Sequence, residues 1–177
     1  ALRRSQAHNT LTLGDVSQSV PSSAFSWSRK ATARRDDLDP GGDFHVSGRH
    51  DGYRRLGITH RRRIDATPEG FAISDLLEGA TTPLPATIAF LLAPDLDAML
   101  EGGIVHIRRA AEPLLAITAP QGMRIRLARD EAAAGRGVHS AAFGDIRPTT
   151  QIVFEGPMEN VAKTTRFRVL ETPPVRP

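Results

Sequence analysis

The most constraining stretch of this chain runs from His50 to Ala80, where two alternating segments flank a short turn. Successive side chains on a strand point to opposite faces. Ile58, His60, Arg62 and Ile64 therefore share one face, and Thr59, Arg61, Arg63 and Asp65 share the other. Thr67-Pro68-Glu69-Gly70 supplies the turn, since proline pre-sets its backbone angle and glycine permits a positive one. Phe71, Ile73, Asp75 and Leu77 then line one face of a return strand that closes at Glu78-Gly79. The stretch reads as one β-hairpin.

The rest of the chain repeats that grammar. Thr10 to Leu13 alternates and is turned by Gly14-Asp15, and a basic strand is expected from Trp27 to Arg35 before the turn Asp39-Pro40-Gly41-Gly42. Thr87 to Leu92 is apolar on both faces, which predicts an interior strand. Asp95 to Leu100 is read as a helical turn, and Ile104 to Arg108 and Leu114 to Thr118 as strands. Met123-Arg124-Ile125-Arg126-Leu127 is the cleanest alternation, predicting Met123, Ile125 and Leu127 buried with Arg124 and Arg126 exposed. Asp130 to Gly144 is read as an irregular edge, followed by strands at Gln151–Glu155 and Thr164–Leu170 and a frayed tail from Pro173 to Pro177. Roughly ten short strands at spacings of about 8–12 residues, with almost no amphipathic helix, predict an all-β antiparallel β-sandwich. A length of 177 residues suits one domain spanning residues 1–177.

Composition narrows the function classes. No run approaches the roughly 20 apolar residues that span a bilayer, so no membrane partner is expected, and Ala1-Leu2-Arg3-Arg4 lacks the apolar core of a signal peptide. There is no cysteine, which excludes disulfides and thiolate chemistry. The net charge is +3 with a pI of about 10.1, and Lys30 and Lys163 are the only lysines. Arginine's flat fork of donors suits carboxylates and sulfates, but a GC-rich genome choosing arginine over lysine is the simpler explanation of this usage. Nucleic acid is not expected as a partner, because cations are dispersed among nearly balancing acids and no stacking platform is visible.

Several motifs are more particular than strand physics requires. His50-Asp51-Gly52-Tyr53, Thr59-His60-Arg61-Arg62-Arg63 and Asp75-Leu76-Leu77-Glu78-Gly79 resemble the β-sandwich region of heparinase II/III-like polysaccharide lyases. So do Arg4-Ser5-Gln6-Ala7-His8-Asn9-Thr10-Leu11-Thr12-Leu13 and Gln151-Ile152-Val153-Phe154-Glu155-Gly156. The resemblance runs in order along most of the chain and is weakest between Leu96 and Thr149. It implies the C-terminal part of a larger enzyme, an (α/α) toroid plus β-sandwich, whose N-terminal helical domain is absent from this chain. It also implies a periplasmic location and β-elimination of uronate-containing acidic polysaccharides. The catalytic groups would come mostly from the missing toroid, so none is assigned here and the chain is expected to be inactive alone.

By the same resemblance His8 is a zinc ligand whose partner ligands lie upstream of Ala1; read on its own it is a hydrogen-bonded histidine at a strand start. His50, Tyr53, His60 and Arg62 are the candidate substrate-binding residues, since imidazole and guanidinium donors would hold a polyanionic sugar. His60 and Arg62 between Ile58 and Ile64 equally describe a packed, hydrogen-bonded strand. Asp51-Gly52 predicts a tight turn in which the carboxylate accepts backbone hydrogen bonds, and Tyr53 can act as acid or base only if desolvated beside a substrate. His45, His106 and His139 are read as structural or surface residues, and Asp36-Asp37 as solvated turn residues. The alternative function is a non-catalytic carbohydrate-binding module for acidic glycans, against which the low aromatic count weighs.

Overall fold

A computed structural model describes residues 2–142 and 144–170; the expected tail at 173–177 lies outside them. The first strands are β1 (Leu11–Leu13), β2 (Val20–Pro21), β3 (Trp27–Arg29), β4 (Ala33–Asp39) and β5 (His45–His50). The hairpin strands follow as β6 (Thr59–Thr67) and β7 (Gly70–Glu78), then β8 (Leu84–Leu91), β9 (Leu96–Glu101), β10 (Ile104–Arg109) and β11 (Glu112–Thr118). The chain continues through β12 (Arg124–Arg129), β13 (Val138–Ala142), β14 (Asp145–Pro148), β15 (Thr150–Met158) and β16 (Lys163–Val169).

The strands form two main antiparallel sheets, eight strands in the order β4-β5-β6-β7-β16-β11-β10-β9 and four in the order β1-β8-β15-β12. They pack face to face. Leu11, Ile88, Phe90, Ile152 and Phe154 of the smaller sheet meet Ile73, Leu77, Val105, Ile107, Ile117 and Phe167 of the larger in one apolar cluster. The all-β antiparallel sandwich read from the sequence is the fold.

The central hairpin forms as expected. Thr67 pairs with Gly70 across Pro68-Glu69, and that two-residue turn sets Arg62 opposite Asp75 and His60 opposite Leu77. β8 lies between β1 and β15, an interior position that matches its apolar run.

Four expectations are corrected. Leu96–Glu101 is a strand, because it pairs residue for residue with β10 and closes one edge of the large sheet. Asp36 and Asp37 lie in β4, the opposite edge, where a register shift between Arg35 and Asp37 turns the carboxylates toward Arg49, Arg61 and His45. Charged residues and a bulge are ordinary protection for an edge strand. Along 123–127, Met123 just before β12 is buried and Arg124 exposed as read, but Ile125 and Leu127 are only half-buried and Arg126 is not fully exposed. Arg126 is drawn down between Glu131 and Glu155. The segment read as an irregular edge is a 3-10 turn at Ala132–Ala134 followed by the β13–β14 hairpin.

Four strands cannot cover eight. The buried apolar inner positions of the large sheet lie on β7, β16, β11 and β10, whereas Val46 and Ile64 on β5 and β6 are only half-buried and the buried inner residue of β6 is the polar His60. The inner face of β4, β5 and β6 projects past the smaller sheet as a ledge.

Candidate functional site

The ledge carries a groove of about 410 Å³, lined by Thr10, Arg35, Gly48, His50, His60 and Arg62 among others. Sheet register places these side chains in three rows. Ala33, His50, His60 and Leu77 are successive partners across β4 to β7; Arg35, Gly48, Arg62 and Asp75 form the next row; Leu38, Val46, Ile64 and Ile73 the third. A depression of about 420 Å³ on another part of the surface contains Lys163, but its amine is held by the Gln121 carbonyl and Glu159 shares the site.

His50 and His60 come together although nothing in their linear spacing suggests a pair. The Gly52 amide donates to His50 Nδ1 at 3.1 Å, so that nitrogen is an acceptor and Nε2 carries the proton. His50 Nε2 then donates to His60 Nδ1 at 2.9 Å, and His60 Nε2 donates to Asp75 Oδ1 at 2.6 Å. Both histidines are Nε2–H tautomers, and all four ring nitrogens are engaged. Gly52 is required here: a Cβ would stand 2.8 Å from Gln18 Cβ and 3.0 Å from His50 Nδ1.

Asp75 is fully buried, at 0 % exposure. Arg62 grips it with both arms, Nε to Oδ1 at 2.8 Å and Nη2 to Oδ2 at 2.9 Å, while Arg62 Nη1 donates to the Asn9 carbonyl at 2.7 Å. Burial alone would raise the Asp75 pKa, but the His60 hydrogen bond and the Arg62 guanidinium outweigh it and hold the carboxyl below its ordinary value. His50 is pushed down to about 4, chiefly by burial and then by His60, against the opposing pull of Asp51 and Asp75. The charges at the heart of the ledge are Arg62 and Asp75, with the imidazoles as hydrogen-bonding links.

Of the candidate residues, His50, His60 and Arg62 share this network. Tyr53 does not: its ring is in the core at 0 % exposure and its hydroxyl donates to the Leu11 carbonyl at 2.9 Å. Burial raises its pKa to about 12; its place in the core cluster makes it a packing residue between the two sheets. Asp51 sits in the expected turn, closed by the Arg54 amide donating to the Asp51 carbonyl at 2.9 Å, but its carboxylate is used at longer range, Oδ1 accepting from the Thr32 amide at 2.7 Å. His8 is exposed at the end of the 3-10 turn Ser5–Ala7. Its neighbour Asn9 is fixed twice, by Arg62 at its carbonyl and by the Leu91 amide at its Oδ1.

No three His, Asp or Glu side chains converge as a metal-binding group among the described residues. Zinc takes four ligands, and the residues present offer it one, His8, so by themselves they do not fit the ion.

Asp75, Asn9, Arg35 and Gly48 were not singled out by sequence reasoning. Asp75 had a signal: a carboxylate on the inward, apolar face of a strand needs a cation beside it, and the turn register names Arg62.

The fold and its ledge define a two-sheet β-sandwich with an arginine-rimmed groove and a sealed His–His–Asp–Arg network. A family model described as heparinase II/III-like, C-terminal, matches residues 1–169, and the chain belongs to that family. This is a polysaccharide-lyase-related β domain.

Among solved structures, heparan sulfate lyase HepC from Pedobacter heparinus superposes with a TM-score of 0.69 at 17% identity, over 96% of this chain and 25% of that one. A structure of heparinase III superposes with a TM-score of 0.69 at 14% identity, over 97% and 25% respectively. The chain thus spans about a quarter of the length of these structures, and at such identities the likeness is one of fold. No curated protein sequence matches it.

Proposed function

We propose that this chain is the β-sheet domain of a polysaccharide lyase that cleaves uronate-containing acidic polysaccharides by β-elimination, and that it supports the substrate cleft without supplying the reacting groups. One observation carries the reading: the groove is rimmed by arginine, yet its two imidazoles have no free lone pair. Elimination removes the proton beside a uronate carboxylate and expels the glycosidic oxygen, which calls for a charge neutraliser, a base and an acid. Arginine can meet the carboxylate charge. A base needs an unoccupied nitrogen within reach of the proton, and both histidines spend theirs on Gly52, Asp75 and each other. On this reading base and acid belong to a helical domain outside this chain.

His50, His60 and Arg62 act in this reading as a scaffold that fixes the groove floor and the His8–Asn9 segment. Tyr53 drops out as a sugar contact because it is sealed in the core. Zinc belongs to the proposal only as an ion that His8 would share with ligands outside the chain. A periplasmic location belongs to the same proposal and is tested by cell fractionation.

The decisive assay is ultraviolet absorbance of the conjugated unsaturated uronate. The purified chain should form none from heparin, heparan sulfate or alginate, and a longer chain carrying the helical domain should form it from one of them. Product from this chain alone, abolished by His50→Ala, would show that the catalytic centre lies in the ledge after all.

A further inference from the structure

The ledge contains a gap between two arginines that the hydrogen-bonded network leaves unused. Arg35 on β4 and Arg62 on β6 are both sheet partners of Gly48 on β5, so they flank a position with no side chain. Strands two apart are separated by about 10 Å, a gap that two long arginine side chains can close from either side. We propose that Arg35 and Arg62, facing each other across Gly48, form an anion subsite for one carboxylate or sulfate of an acidic glycan. The proposal rests on the glycan reading above and assigns it a place and a chemical group.

Three features support it. Charge complementarity is the first: Arg34, Arg35, Arg49 and Arg62 line the groove. Arg49 is paired with Asp36 and Arg62 with Asp75. Arg34 shares the alternate row with Arg49 and Arg61, but no ion pair holds Arg35 among the described residues, so the groove keeps a cationic surplus.

The second is preorganisation. Asp75 and Asn9 lock three N–H groups of Arg62, whose side chain is 21 % exposed, and the remaining N–H groups have no partner among the described residues. A guanidinium already fixed in place loses little freedom when an anion arrives. Arg35 is exposed and free to close from the opposite side.

The third is the surface beside the gap. Val46 and Ile64 form the next row along the same face, giving a sugar ring an apolar strip for its C–H face. Exposed aromatic rings, the stacking surface a nucleobase would need, are not among the groove-lining residues. Gly48 also has a structural duty, since a Cβ there would lie 2.9 Å from the Arg34 carbonyl oxygen. The test therefore leaves Gly48 unchanged.

The experiment is a ¹H–¹⁵N titration of this chain with sodium sulfate, an unsulfated glucuronate-containing tetrasaccharide, a heparin tetrasaccharide, neutral chitotetraose and a short DNA duplex. The Gly48 amide and the Arg35 Nε–H are the reporters. Both should shift with sulfate and with at least one acidic tetrasaccharide, and not with chitotetraose; the two acidic arms decide between carboxylate and sulfate. Arg35→Ala should weaken binding about tenfold, the scale of one lost charge-assisted contact. Arg168→Ala, an exposed arginine on β16 whose sheet partner is Gly70 at the hairpin turn, should leave it unchanged.

Acidic tetrasaccharides that bind with Gly48 unmoved, or equally well to Arg35→Ala, overturn the subsite and leave the glycan reading standing. A sulfate response that Arg35→Ala abolishes, with no binding of either acidic tetrasaccharide, overturns the proposal, because the anion held there is then not part of a glycan. Equal loss in Arg35→Ala and Arg168→Ala, or DNA binding as tight as heparin, reduces the effect to diffuse surface charge and overturns the proposal.

Discussion

Replacing Asp75 by Asn removes one charge and almost no volume, yet it should be among the costliest single changes in the domain. Oδ1 accepts from both His60 Nε2 and Arg62 Nε, and Oδ2 accepts from Arg62 Nη2. An amide has one acceptor and one donor end, so one of these positions must face an N–H with an N–H. His60 cannot absorb the mismatch by changing tautomer: its proton would move to Nδ1, against the proton on His50 Nε2. If His50 changed in turn, its Nδ1 proton would meet the Gly52 amide, which cannot move its own. The conflict ends on a backbone donor, and Arg62 is left half-buried without its counter-charge. Breaking a buried pair from one side costs about 3–5 kcal/mol, a large part of the roughly 5–15 kcal/mol that holds a domain of ordinary stability. Urea unfolding followed by circular dichroism measures it. Asp65→Asn is the control, since Asp65 pairs with Arg63 at the surface, 2.7 Å apart, and should lose under about 1 kcal/mol. An Asp75→Asn variant that loses no more than Asp65→Asn would refute the sealed-network argument.

Other outcomes follow from the same geometry. His50 is held neutral in the fold down to about pH 4, whereas in the unfolded chain it takes up a proton below its ordinary value of 6.5. Its contribution is therefore complete above about pH 6.5 and is lost as pH falls toward 4. The ceiling is roughly 3 kcal/mol; partial exposure of the ring reduces it to about 1–2 kcal/mol. Urea midpoints at several pH values should show this slope, and His50→Gln should flatten it. Tyr53→Phe should cost about 1–2 kcal/mol by freeing the Leu11 carbonyl and leave acidic-glycan binding untouched; lost binding at full stability would restore Tyr53 as a sugar contact. At the start of β12, Met123→Ala just before the strand should cost more than Ile125→Ala, and Arg124→Ala should stay within about 0.5 kcal/mol; the reverse order would mean the wrong face was assigned. In a longer chain that binds zinc, His8→Ala should release the metal by elemental analysis, and full occupancy in that variant would take His8 out of the site.

The sequence by itself determined what is local. Alternation of apolar and polar residues marked the strands, and Pro68-Glu69 between two such runs set a register that places Arg62 opposite Asp75. The position of His60 on an inward face followed from the same periodicity. Tertiary structure decided the rest, for reasons of distance and supply. The His50–His60 contact depends on the path of residues 51–58, a loop with its own 3-10 turn at Arg54–Leu56, which no two-residue rule specifies. Leu96–Glu101 read as helical because its own residues allow a turn, and it became a strand because β10 offered an unpaired edge. Tyr53 looked like a site residue beside His50 and Gly52, and was drawn into the core because two sheets close over it. The ledge exists only because an eight-stranded sheet meets a four-stranded one. That mismatch brings Arg35 and Arg62 to one groove, and it arises from strand counts in two sheets that no local pattern records.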